Sequence, residues 1–191
     1  MPRKKKKIIS LEVAEPNSTW DYSTGRTLTN FICNDEDAPK KVMEMDRRET
    51  WKHERGYDDQ VKAILSPMGT RNFSNVFFTD EVCVEEVKLP STVRPSTPYI
   101  YKVYDYTGGR ITTEYGTPKD IIAYITKKIK TKYVMVSHNG KSERMEYVPK
   151  TLSDILGELE NDTSQLEIEP IGRSGVTNNP IMVSIFKNCL R

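Results

Sequence analysis

Three groups of residues have types and spacings that could do chemistry. Asp80 is followed by Glu86-Val87-Lys88. In a metal-dependent nuclease of the D…ExK type, the Asp and the Glu hold Mg²⁺ while the lysine assists the attacking water. On one strand Glu86 and Lys88 would share a face. The spacing arises readily in a chain that is 29% charged. Asp80, Glu86 and Lys88 are therefore an alternative to test first as an enzyme, not the leading reading.

The second group is cationic. Lys127, Lys128, Lys130 and Lys132 place four ammonium groups within six residues, and Arg3, Lys4, Lys5, Lys6 and Lys7 form a block at the N-terminus. Point charges of this kind suit phosphates, and binding through them is sequence-independent and salt-sensitive. Lysines in a last helical turn also complement the helix dipole.

The third group is the stretch YIYKVYDYTGGRITTEY, residues 99–115, with five of the ten tyrosines. If Gly108-Gly109 makes a two-residue type I′ turn, Tyr106 faces Ile111, Tyr104 faces Thr113 and Lys102 faces Tyr115. Ile100, Tyr104, Tyr106, Ile111 and Tyr115 then share the face that a following helix should cover. The other face leaves Tyr99 and Tyr101 for base stacking, beside Arg110 but also beside Asp105 and Glu114. Tyr101 thus joins the expected nucleic-acid-binding residues.

Other reactive types lack partners. Cys33, Cys83 and Cys189 are odd in number, with no CxxC pair, and His53 and His138 are far apart. No disulfide framework, zinc site or cofactor is expected. Gly172-Arg-Ser-Gly175 lacks P-loop spacing, and no GxSxG, HExxH or GxGxxG motif is present. Catalysis is not the expected activity.

The elements that must carry these groups follow from hydrophobic period and turn chemistry. Residues 8–14 read as a strand, 39–55 as a nearly all-polar helix, 58–65 as a second short helix using Val61, Ile64 and Leu65, and 75–89 as one or two strands. PNSTWDYSTGRT reads as a loop, and LPSTVRPSTP, residues 90–98 within it, as a linker or crossover. Then two hairpins, turning at Gly108-Gly109 and Asn139-Gly140, each precede a helix. Thr117, Pro118 and Asp120 start the first, with Ile121, Ile122, Ile125 and Ile129 as its apolar stripe. Thr151 and Asp154 start the second, with Leu152, Ile155, Leu156 and Leu159. The pairs Thr117/Thr151, Asp120/Asp154 and Ile121/Ile155 lie 34 residues apart, which suggests a repeated hairpin–helix unit. QLEIEPI and IMVSIF read as closing strands.

The chain of 191 residues is 36% hydrophobic, a lean core that suits a protein leaning on a partner. Its net charge of +2 conceals segregation. Residues 99–150 hold ten basic and five acidic groups, whereas 151–170 hold six acidic and no basic ones. IISL is too short for a signal sequence and no run is long enough to cross a bilayer. The expected setting is intracellular, in cytoplasm or nucleus.

The expected fold is α+β: a basic flexible arm over 1–7, an α+β region over 8–89, the linker 90–98, and tandem ββα units with closing strands over 99–191. The expected function is a non-catalytic binding or assembly subunit of an intracellular or viral complex. Its arm and lysine cluster would contact nucleic acid or an acidic partner. A protein-only interaction module using the acidic surfaces, with no nucleic acid bound, is the other alternative beside the nuclease.

Overall fold

A computed structural model describes residues 6–13, 30–38, 40–41, 71–73, 82–138, 140–160, 165–176 and 178–191. The fold is mixed α and β, with mostly antiparallel strand pairing and two short helices. It divides into two compact units, residues 1–88 with 187–191, and residues 89–186. Of the helix expected over 39–55, residues 40–41 are described and are helical. The rest of it, the helix expected over 58–65, the loop PNSTWDYSTGRT, Asp80 and Arg3 to Lys5 lie outside the described residues.

In the first unit β1 (Ile8–Val13) pairs antiparallel with β2 (Asn30–Asn34) and with β4 (Val82–Glu86), while β3 (Arg71–Phe73) pairs with β4. Leu11, Ile32 and Cys33 are buried. Asn34 leads into a 3-10 turn over Asp35–Asp37, fixed by a bond from the Asp35 N–H to the Lys7 carbonyl at 3.0 Å. The C-terminal residues return here, with the Cys189 N–H donating to the Ile32 carbonyl at 2.8 Å.

The second unit contains β5 (Tyr99–Asp105), β6 (Thr112–Gly116), α1 (Pro118–Lys128), β7 (Tyr133–His138), β8 (Lys141–Glu146), α2 (Pro149–Glu158), β9 (Leu166–Pro170) and β10, which starts at Ile181. The strand order is β8-β7-β9-β10-β5-β6. One core holds Tyr101 and Val103 of β5, Val134 and Val136 of β7, and Ile121, Ile125, Leu152 and Leu156 of the helices. Burying each aliphatic side chain contributes about 1.5–3 kcal/mol, so this period-3.6 stripe fixes both helices to the sheet.

The ladder of β5 and β6 pairs Tyr104 with Thr113 and Lys102 with Tyr115, the register that the glycine pair implies. The face assignment is corrected. Tyr101 and Val103, at 0% exposure, point to the helices, while Ile111 is 61% exposed. The two-residue turn is corrected as well. The ladder stops at Asp105 and Thr112 because the next donors go elsewhere. The Tyr106 N–H bonds the Pro180 carbonyl at 3.1 Å, and the Thr107 N–H bonds the Asp105 carboxylate at 2.9 Å. Residues 106–111 form a longer loop, with Gly109 at φ 73°. In the second hairpin His138 pairs with Lys141 and Gly140 stands at φ 69°, while Asn139 lies outside the described residues.

The first helix begins as its residues dictate. Thr117 and Asp120 form a capping box around Pro118, with bonds of 2.9 Å from the Thr117 N–H and 2.7 Å from the Thr92 hydroxyl to Asp120 Oδ2. Burial by itself would raise the Asp120 carboxyl, but these donors outweigh it and hold the group below the usual carboxylate range. The proline-rich stretch is also internally bonded, Val93 N–H to Pro90 O and Thr97 N–H to Arg94 O. The second helix departs from expectation. It starts at Pro149 with Val148 at the N-cap and no side-chain cap. Thr151 and Asp154 therefore lie inside the helix, because Pro149 supplies a preset φ at its first position.

Candidate nucleic-acid interface

The lysine cluster is positioned by one buried residue. The Ile129 N–H donates to the Ile125 carbonyl at 2.8 Å, and Ile129 is 5% exposed and part of the core. Anchoring this side chain inward leaves its neighbours Lys127, Lys128 and Lys130 exposed at the helix end. The turn then enters β7, where the Tyr147 N–H bonds the Lys132 carbonyl at 2.8 Å. The Thr126 and Tyr147 hydroxyls lie 2.8 Å apart, so the end of α1 and the start of β7 are held together.

Two of the four ammonium groups are engaged inside the unit. Lys128 Nζ lies 3.1 Å from Asp105 Oδ2 and Lys132 Nζ lies 3.8 Å from Glu146 Oε1. The hydrogen bond and charge of Asp105 raise the Lys128 pKa. Lys127 and Lys130 make no ion pair among the described residues and project into solvent.

Asp105 is the most heavily bonded carboxylate among the described residues of the unit. It is 1% exposed and accepts from the Thr107 N–H and hydroxyl, from Lys128, and from the Tyr124 hydroxyl at 2.8 Å. Burial would raise its pKa, but the Thr107, Tyr124 and Lys128 donors together hold it at about 2. Burial raises the Tyr124 hydroxyl, helped by the adjacent carboxylate. An acid this strong, with both oxygens occupied, has no lone pair with which to serve as a base. It acts as a knot joining the end of β5 to α1.

Tyr101 is a correction. Its ring is wholly buried, and its hydroxyl is shared between the Leu156 carbonyl and Glu160 Oε1, each at 3.1 Å. A base cannot reach it. Burial, followed by the Glu160 charge, pushes its hydroxyl pKa well up.

In the first unit Lys6 pairs with Glu36, and Lys7 with Glu86 at 2.7 Å. These partners raise both lysine pKa values. The described part of the D…ExK triplet thus has Glu86 engaged with Lys7, and Lys88 lies beyond the end of β4. Among the described residues no group of three or more His, Cys, Asp or Glu side chains could hold a metal ion.

One feature of the second unit escaped the sequence reading. The Tyr133 ring has the Arg144 guanidinium 4.7 Å from its centroid and Lys132 Nζ 5.4 Å away. The Asn139-Gly140 turn contains the signal. It pairs Tyr133 with Glu146, which makes Arg144 the diagonal neighbour on the same face.

No protein-family model, curated protein or solved structure matches this chain. Among the described residues no helix is long and apolar enough to cross a membrane.

Proposed function

We propose that this chain is a non-catalytic binding or assembly subunit of a larger intracellular or viral complex, and that the cationic end of α1 contacts nucleic acid. The observation that carries this reading is the exposure of Lys127 and Lys130, which make no ion pair among the described residues, beside Lys128 and Lys132. The segment Arg3 to Lys7 would add sequence-independent contacts, with Lys6 and Lys7 shared between Glu36, Glu86 and phosphate.

The second helix strengthens the case. Gly109 and Gly140, Pro118 and Pro149, Ile121 and Leu152, and Ile125 and Leu156 are each 31 residues apart, and the last two pairs are buried. We read this as a repeated hairpin–helix unit whose period is 31 rather than 34. Under that correspondence Lys127 matches Glu158, so equivalent helix ends carry opposite charge. An acid at a helix C-terminus opposes the dipole. Helix capping alone therefore does not require a cation at this place, and Lys127, which has no part in the Asp105 network, fits a ligand better than a stability role.

The test is a fluorescence-anisotropy titration with random DNA and RNA at about 50 and about 200 mM salt. Affinity should fall steeply with salt. Replacing Lys127 and Lys130 by alanine together should lower the slope of log affinity against log salt by about 1–2. Binding that ignores both salt and the double substitution would sink the reading. Binding to polyglutamate alone would replace nucleic acid by an acidic protein partner.

A further inference from the structure

The turn after α1 carries Lys130 and Lys132 to the start of the β7–β8 hairpin, whose outer face lies opposite the one that α1 covers. Val134 and Val136 point into the core, so the alternate residues Tyr133, Met135 and Ser137 point the other way. Across the ladder they meet Glu146, Arg144 and Ser142, all exposed. Tyr133 is 37% exposed. Its backbone is rigid, since its carbonyl accepts from the Ile171 N–H at 3.0 Å and from the Thr131 hydroxyl at 2.9 Å. An aromatic ring on a fixed backbone, with a guanidinium already over it, thus adjoins the lysine-rich turn at Lys132.

We infer that this strip is a single-strand binding site, in which Tyr133 and Arg144 receive a nucleobase and Lys127, Lys130 and Lys132 take flanking phosphates. The inference rests on the reading above that the lysine patch binds nucleic acid, and names the form of nucleic acid. Bases in a duplex are stacked on each other, and a ring on a sheet face reaches none of their π-faces. An unpaired base lies on such a ring, and an arginine plane adds a second stacking surface. Lysines alone do not choose between the two forms, because both present phosphates. Three carboxylates on this face oppose the ligand, Glu146 opposite Tyr133 and Glu169 and Glu167 of β9 opposite Met135 and Ser137. Glu146 holds Lys132 weakly at 3.8 Å, and on binding Lys132 exchanges that carboxylate for a phosphate.

The experiment compares labelled oligo-U, oligo-dT and a duplex of the same length, using the full chain. The single strands should bind at least about tenfold more tightly than the duplex, as stacking of one base allows. The RNA and DNA arms show which sugar is preferred. Tyr133→Leu should lose about tenfold for single strands and leave the salt slope intact, while Tyr133→Phe keeps wild-type affinity. Glu146→Gln should bind more tightly, by freeing Lys132. Circular dichroism of each variant separates misfolding from lost contact, and Tyr133→Phe preserves the test if the leucine variant unfolds. Equal affinity for duplex and single strand, or unchanged binding by folded Tyr133→Leu, overturns the inference while leaving the lysine patch standing. No binding of any oligonucleotide by the wild type overturns both.

Discussion

The Lys128 ammonium lies 3.1 Å from the Asp105 carboxylate, and this pair ties the last turn of α1 to the end of β5. It accounts for one of the four clustered lysines and is part of the same network as Thr107 and Tyr124. Its strength comes from the buried acid, not from the exposed base.

Acid should dissolve this knot. The Asp105 pKa of about 2 in the folded chain lies below the unfolded value of ~3.9. A depressed pKa means that the stabilisation is complete above about pH 4 and is lost as pH falls towards 2, a contribution of about 2 kcal/mol. Urea unfolding at a series of pH values between 7 and 3 should show wild-type stability declining more than that of Asp105→Asn. The variant itself should be less stable at pH 7 by about 1–3 kcal/mol, because the amide NH₂ faces donors. Parallel pH profiles for the two proteins would rule against the assignment.

Much of this region was legible in residue types, and the limits are physical. The Thr117-Pro118-Asp120 start of α1 could be read because all three residues act locally. The Tyr104–Thr113 register could be read because the 106–111 loop is centred on the same Gly108-Gly109 pair. The side of the hairpin facing the helix could not. Tyrosine and isoleucine alternate on both faces, so burial is decided by packing partners distant in sequence. The 106–111 loop was hidden for the same reason, since Pro180 takes the Tyr106 N–H. Thr151 misled as a cap because Pro149, two residues earlier, already satisfied the start of a helix.

Tyr101→Phe tests the corrected role of that ring. The phenyl group keeps the packing, while the Leu156 carbonyl loses its donor. Stability should fall by about 1–2 kcal/mol, measured by urea unfolding, with oligonucleotide affinity unchanged. A large loss of affinity with stability intact would return Tyr101 to the binding surface.

Gly116 is set by a close approach. A Cβ there would stand 2.7 Å from the Asp120 Cβ and 3.0 Å from its Oδ2. Gly116→Ala should push Asp120 out of the capping box and cost about 1–3 kcal/mol. A melting temperature equal to wild type would show that the cap has room to move.

The cysteines should differ in reactivity. Cys33 is buried, and burial, with the neighbouring Cys189 adding to it, pushes its thiol up to about 12. At pH 8 it stays protonated and shielded, whereas Cys189 is partly exposed. Native iodoacetamide labelling with peptide mapping should modify Cys189 before Cys33. Early modification of Cys33 would contradict its burial.

The Thr92 hydroxyl reaches Asp120 across 28 residues. That bond closes a loop whose contents are the whole β5–β6 hairpin. The first turn of α1 therefore cannot be fully capped until the hairpin has folded and brought the two ends together. Its amide protons should exchange with solvent at the rate at which the hairpin opens, so a local helix end acts as a clock for non-local strand pairing.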